Sequence, residues 1–93
     1  MPINLEEAKK IAIKDLSNRL EVAESDIDLK STESTEFPNA CLGAARAGEM
    51  CADMMLTGWK IHLGCQGSSY EYRAAKNQVR LFNFSGQNFK IYP

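Results

Sequence analysis

The chain has 93 residues, a length typical of one small domain, and 44% of them are hydrophobic. Eleven Lys and Arg nearly balance twelve Asp and Glu, giving a net charge of -1 and no basic cluster of the kind that binds nucleic-acid phosphates. No apolar run approaches the roughly 20 residues that cross a bilayer, so we predict a single domain over residues 1–93 with neither a nucleic-acid partner nor membrane insertion.

An amphipathic helix is predicted over residues 5–20. Asn4 is followed three residues later by Glu7, the pattern of an N-terminal capping box. A period of 3.6 residues places six apolar side chains on one stripe, namely Leu5, Ala8, Ala12, Ile13, Leu16 and Leu20. We expect this stripe to pack against a sheet.

Four strands are predicted after the helix, at residues 27–31, 59–65, 69–73 and 79–84. Apolar and polar residues alternate in the first two, as in half-buried strands, and the third has both of its tyrosines on one face. Residues 31–36 contain only Ser, Thr and Glu, and they either continue the first strand at an exposed edge or fray. A further short strand is a candidate at residues 89–92.

The predicted fold is α+β, with the N-terminal helix on one face of a three- to four-stranded antiparallel sheet. Domains of the cystatin and PepSY kind have a similar plan, which is an analogy of fold alone. The helix is expected to cover side chains with a structural role in the sheet, namely Trp59, Ile61, Leu63, Tyr70 and Tyr72.

Residues 38–57 have no clear period and predict an irregular loop that contains Cys41 and Cys51. A disulfide between these cysteines would close a ring of roughly eleven residues and stabilise the fold by about 2.5–3 kcal/mol. The alternative is two buried thiols in a reducing cell, and the residues alone leave both states open. Cys65 alternates with Ile61 and Leu63, which predicts a thiol buried in the core.

The residues predict no catalytic site, no cofactor and no metal. A zinc site built from Cys41, Cys51, His62 and Cys65 would lack the Cys-x-x-Cys spacing of common zinc modules. In addition, His62 and Cys65 would point to opposite faces of a strand. No nucleophile motif and no phosphate-binding glycine pattern is present, so we expect a protein that is not an enzyme.

The segment between Cys41 and Cys51 is the predicted partner-binding surface, with Arg46 at its apex. Many serine-protease inhibitors present a substrate-like segment on such a constrained loop, because a rigid loop loses little entropy on binding. The hypothesised contacts are Arg46, Leu42, Glu49 and Met50, with Phe37 and Trp59 supporting the base of the loop. The simpler interpretation is an exposed arginine on a structural loop. The alternative function is an intracellular accessory subunit that docks on a protein partner through a sheet edge or through its methionines.

Several motifs resemble an uncharacterised family of small bacterial proteins. They are Phe37-Pro38-Asn39-Ala40-Cys41-Leu42-Gly43, then Cys51, Gly58-Trp59-Lys60-Ile61 and Tyr70-Glu71-Tyr72-Arg73. In order along the chain, the family pattern has Trp-Pro-Asp/Asn, Cys-Leu-Gly, a second Cys, Pro-Gly-Trp/Tyr and a final aromatic-x-Tyr-Arg/His motif. The chain departs from this pattern at Phe37, Ala47 and Thr57.

The resemblance implies a bond between Cys41 and Cys51 that leaves Cys65 free. Many members look exported or lipid-anchored, which implies the periplasm or the cell surface. The start of the chain, Met1-Pro2-Ile3-Asn4, lacks the pattern of a signal peptide, so we expect either a cytoplasmic protein or one from which a leader was removed. The resemblance gives no activity, and the partner and the oligomeric state are left open.

Overall fold

The computed structural model describes residues 2–93 and contains one long helix and five strands. Their bounds are α1 (Leu5–Leu20), a short 3-10 helix (Glu24–Asp26), β1 (Asp28–Phe37), β2 (Leu56–Cys65), β3 (Ser68–Ala75), β4 (Gln78–Phe84) and β5 (Gln87–Tyr92). The strands form one antiparallel sheet in the order in which they follow along the chain. The predicted α+β fold is confirmed, with five strands where three or four were expected.

Helix α1 is capped by its own side chains. The amide of Glu7 donates to Oδ1 of Asn4 at 2.8 Å, and the amide of Asn4 donates to Oε1 of Glu7 at 3.3 Å, which completes the predicted capping box. Ala8, Ala12 and Leu16 are fully buried, so the predicted stripe is the face that meets the sheet. Neither helical element within residues 2–93 has the length and apolar character needed to cross a membrane.

The larger core lies between α1 and one face of the sheet. The sheet contributes a set of fully buried side chains to it, namely Ile61, Leu63, Tyr72, Ala74, Val79 and Leu81. The hydroxyl of Tyr72 donates to Oδ2 of Asp15 at 2.7 Å, so its buried oxygen has a partner. Burial, together with this bond, raises the pKa of Tyr72 well above its ordinary value. Cys65 is a free thiol buried in the same core.

The outer strands account for the difference from the expected sheet. Residues 31–36 do not fray, because each pairs with a residue of β2 and the strand continues to Phe37. β5 is a six-residue strand at the opposite edge, and its pairing with β4 is interrupted by two register shifts. β2 begins at Leu56, so the irregular segment between β1 and β2 covers residues 38–55.

Candidate functional site

The segment of residues 38–55 folds back over the sheet face opposite α1. Successive side chains of a strand point to opposite faces. In β4, Val79 and Leu81 therefore face the helix, while Gln78 and Arg80 face this segment. Its central part, residues 41–51, is called the disulfide loop below, and Arg80 contacts it directly while Gln78 contacts Ala40 just before it.

Cys41 and Cys51 are joined by a disulfide, with their Cα atoms 5.5 Å apart. Of the two states that the residues left open, the structure has the bond, which removes about 2.5–3 kcal/mol of unfolded-chain entropy for a loop of this length. Glu49 lies beside the two sulfur atoms in a grouping that has the ligand types for a metal ion. Because the sulfurs are bonded to each other, they are not free thiolate ligands.

A tight turn forms the start of the disulfide loop. Oδ1 of Asn39 accepts hydrogen bonds from the amides of Cys41 at 2.9 Å and Gly43 at 3.2 Å. Gly43 has φ 66, and a Cβ on it would lie 2.8 Å from Nη1 of Arg73, so glycine permits this close approach. Leu42 is completely buried in a second, smaller core, which also contains Phe37, Leu56 and Ala75.

Four side chains of the sheet donate hydrogen bonds to backbone carbonyls of the segment. With the donor first, the pairs are Arg73 to Leu42 at 2.9 Å, Gln78 to Ala40 at 2.7 Å, Arg80 to Ala44 at 3.2 Å and Asn88 to Ala45 at 2.8 Å. These donors come from β3, β4 and β5. A loop packed on a sheet needs partners for its carbonyl groups, and here side chains supply them. The disulfide loop is therefore held at several points along its first half.

Arg80 and Glu49 form the main polar contact of the second half. Nη1 and Nη2 of Arg80 donate to the two carboxylate oxygens of Glu49, each at 2.7 Å. Arg80 is only 2% exposed. Its hydrogen bonds hold the pKa of Glu49 well below the ordinary value, against the opposing effect of burial. Glu49 consequently stays ionised and joins the loop to β4.

The sheet itself needs the charge of Glu49. Arg73 and Arg80 are directly opposed on β3 and β4, and like charges in this position destabilise a sheet. Nε of Arg73 donates to Oε2 of Glu71 at 2.6 Å, and its guanidinium lies 3.7 Å from the ring centroid of Phe82. Arg80 receives its compensating charge from the loop, so the fold of the sheet and the position of the loop depend on each other.

The exposed part of the loop is its crest, defined as residues 45–48 with Met50. Met50 is 94% exposed, the largest exposed fraction among the large hydrophobic residues in the range 2–93. The side chain of Arg46 is 52% exposed. The amide of Arg46 donates to Oε1 of Glu49 at 2.9 Å, and its carbonyl accepts from the amide of Glu49 at 3.0 Å. The side chains of the crest are therefore accessible from solvent, while the backbone amide and carbonyl of Arg46 are already hydrogen-bonded inside the loop.

The structure separates the predicted contact residues into two pairs. Arg46 and Met50 lie on the exposed crest. Leu42 is in the second core and Glu49 is held by Arg80, so these two side chains have structural positions.

The residues predicted to support the loop also lie apart. Phe37 packs against Leu42 in the second core, as a residue at the base of the loop should. Trp59 packs on the helix side, together with Tyr70 and Tyr72. Phe37 and Trp59 therefore face opposite sides of the sheet, and Trp59 does not support the loop.

Sequence reasoning missed the side chains that hold the loop, namely Arg73, Gln78, Arg80 and Asn88. One signal was present: Arg80 lies between Val79 and Leu81 in a short apolar strand, where a charged residue requires a partner. Nothing in the local pattern identified that partner as Glu49, which is 31 residues away along the chain.

A comparison with protein families matched residues 9–82 to a family described as a domain of unknown function, DUF8738. The match runs from the first turns of α1 into β4, and it includes the disulfide loop with Arg73 and Arg80. Comparisons with curated proteins and with solved structures found no match.

Proposed function

The chain belongs to the DUF8738 family, a domain of unknown function, and from the geometry of its site we propose that it binds a protein partner through the crest of the disulfide loop. The observation that carries this proposal is the position of Met50. A large apolar side chain that is 94% exposed stands on a loop fixed by a disulfide and by hydrogen bonds from the sheet. A fixed loop loses little conformational entropy when a partner binds.

The two large side chains of the crest, Arg46 and Met50, suit a protein surface. Methionine adapts its shape to irregular apolar pockets. Arginine is enriched among the residues that contribute most to protein–protein binding. Arg46 is also in contact with Glu49 at 3.5 Å, so its guanidinium is partly positioned before a partner arrives. We expect a partner surface with an apolar pocket beside an acidic group.

This geometry favours side-chain binding over the substrate-like form of protease inhibition. A substrate-like segment lies extended and pairs with the protease through free backbone amides and carbonyls. Both backbone groups of Arg46 are used within the loop. We therefore expect no inhibition when the protein is added to a panel of trypsin-like and cysteine proteases. Inhibition that disappears in Arg46→Ala would restore the inhibitor hypothesis.

The proposed module is not an enzyme. Two of its three cysteines are bonded to each other, and the third, Cys65, is buried, so they do not present an accessible thiolate. Its single histidine, His62, lies 3.7 Å from the carboxylate of Glu33 on the neighbouring strand. Ser31 is directly opposite His62 in the sheet, but no hydrogen bond joins its hydroxyl to the imidazole. The absence of such a bond leaves the serine without an activating base, which supports a binding role.

Site-specific photo-crosslinking in the native host tests the proposal. A photoreactive residue replaces Ala47 on the crest, and a matched control replaces Asn18, which is exposed on α1. We expect a discrete protein adduct from position 47 that is absent from position 18. Met50→Ser and Arg46→Ala should each weaken that adduct, while Lys10→Ala should leave it unchanged. The same adducts from both positions, or none from position 47, would contradict a partner at the crest.

A further inference from the structure

Strand β1 forms an open edge of the sheet. It is ten residues long, and its only neighbour in the sheet of residues 2–93 is β2. Its outer side therefore presents a row of backbone donors and acceptors that no strand of the described chain pairs. An edge of this kind can accept a further strand from another chain.

The two edges of the sheet are not equivalent. β5 is six residues long, and its pairing with β4 shifts register twice. Short length and bulges are common protections against added strands. β1 has one register shift, between Leu29 and Ser31, and from Ser31 to Phe37 its pairing with β2 is uninterrupted. This second part of β1 is the longer and uninterrupted edge, and its protection is limited to charged side chains.

The charge around β1 indicates which strand would fit. Residues 21–36 contain six acidic residues and one basic residue, a net charge of -5, whereas the whole chain has a net charge of -1. The rest of the chain is therefore at +4. Along the open edge, Glu33 is opposite Lys60 on the loop side of the sheet, and Glu36 is opposite Thr57 on the helix side. The carboxylate of Glu33 lies 3.7 Å from His62, but its side chain is 59% exposed and accessible to a partner. An added strand would meet a carboxylate on each of its faces.

We propose that residues 31–36 of β1 bind an extended segment rich in lysine or arginine from a protein partner, as a sixth strand of the sheet. Backbone hydrogen bonds supply the attachment, and Glu33 and Glu36 select for basic side chains. A second copy of the chain is a poorer occupant, because two acidic edges repel each other. This site is separate from the crest of the disulfide loop.

The test uses a ten-residue peptide of lysine and threonine, with blocked ends and with lysines on both faces of its extended form. Its control is the same peptide with glutamate in place of lysine. We expect the lysine peptide to bind, the glutamate peptide not to bind, and added salt to weaken the binding. Amide hydrogen exchange should slow at residues 31–36 when the lysine peptide is present. Absence of binding, or binding without slower exchange in β1, would overturn the proposal.

Paired charge reversals separate a specific edge from general attraction. Glu33→Lys should weaken binding of the lysine peptide about tenfold, because it places like charges together at the edge. Glu6→Lys makes the same change on α1, where Glu6 is exposed and paired with Lys9, and it should leave the affinity unchanged. Equal losses in the two variants would refute the assignment to β1.

Met50→Ser should bind the peptide like the wild type, so this test succeeds or fails independently of the crest. Sedimentation of the protein without peptide measures whether a second copy of the chain occupies the β1 edge instead. A dimer with protected amides at residues 31–36 would show that a second copy fills the edge, and it would overturn the proposed basic partner.

Discussion

The two faces of the sheet are covered in different ways. On one face, α1 contributes a periodic apolar stripe, and the contact is a continuous core with Leu16 and Tyr72 fully buried. On the other face, an irregular segment contributes a small apolar cluster, a disulfide and a partly buried ion pair with the sheet. A helix can cover a sheet by repetition of apolar residues alone. A segment without a period needs individual bonds to stay in place.

This difference has consequences for stability. The stabilisation that apolar burial provides on the helix side depends weakly on pH and does not depend on the redox state. The loop side depends on the oxidation of Cys41 and Cys51 and on the ionisation of Glu49. The two faces should therefore respond separately to core mutation, to charge removal, to reduction and to acid.

The largest expected effect is on the helix side. Leu16→Ala removes a fully buried side chain from the centre of the helix–sheet core and should lower the free energy of unfolding by about 4 kcal/mol. Guanidinium denaturation followed by circular dichroism measures this loss. Because α1 covers the main core, we expect the whole chain to be destabilised, with faster amide exchange on both faces. A loss below about 1 kcal/mol would show that the helix side is not the dominant core.

Glu49→Gln should lower the free energy of unfolding by about 3 kcal/mol. The variant keeps the shape of the side chain but leaves the buried guanidinium of Arg80 without its countercharge. Chemical denaturation at neutral pH gives the value, and Glu6→Gln on the surface of α1 is the control, with an expected change within about 0.5 kcal/mol. Similar small losses in both variants would mean that the ion pair contributes little to the attachment of the loop.

Removal of the disulfide should cost about 2.5 kcal/mol. The double variant Cys41→Ser/Cys51→Ser should show faster amide exchange in residues 41–51, while the exchange of α1 and β3 changes only with the global stability. Reduction of the wild-type protein should give the same pattern, and the double variant should not respond to reductant. Unchanged exchange within the loop would show that the polar contacts hold it without the bond.

Acid should weaken the loop side by a smaller, graded amount. The pKa of Glu49 is lower in the folded protein than its ordinary value of 4.5, so its contribution is fully present above that pH. The contribution is lost as the pH falls towards the folded pKa, because protonation then favours the unfolded state. The difference in unfolding free energy between the wild type and Glu49→Gln should therefore shrink between pH 5 and pH 3, which denaturation at each pH measures. A difference that stays constant over this range would contradict the lowered pKa.

The elements that depend on nearby residues were predictable. The capping box of Asn4 and Glu7 and the apolar stripe of α1 follow from spacings within one helix. The alternation in β2 and β3 likewise follows from neighbouring residues, and it placed Tyr72 and Cys65 on the side of the core. The Cys41–Cys51 bond was one of two states that the residues allowed, and the resemblance to an uncharacterised family favoured it.

The remaining features needed contacts between distant parts of the chain. Residues 31–36 carry no apolar pattern, and they are a strand because β2 provides a complete ladder of partners. Leu42 was predicted as a surface contact, but its side chain is buried between the loop and the sheet. Glu49 is held by Arg80, which is 31 residues further along the chain.

The sequence by itself determined the helix, most of the strands and the apolar face, because these depend on periodicity over a few residues. Only the tertiary structure decided that the disulfide loop lies on the sheet and that Arg46 and Met50 are on its exposed crest. It also decided that β1 has an open edge. The physical reason is that a buried charge or an irregular segment is positioned by whichever distant groups satisfy it, and local spacing carries no information about those groups.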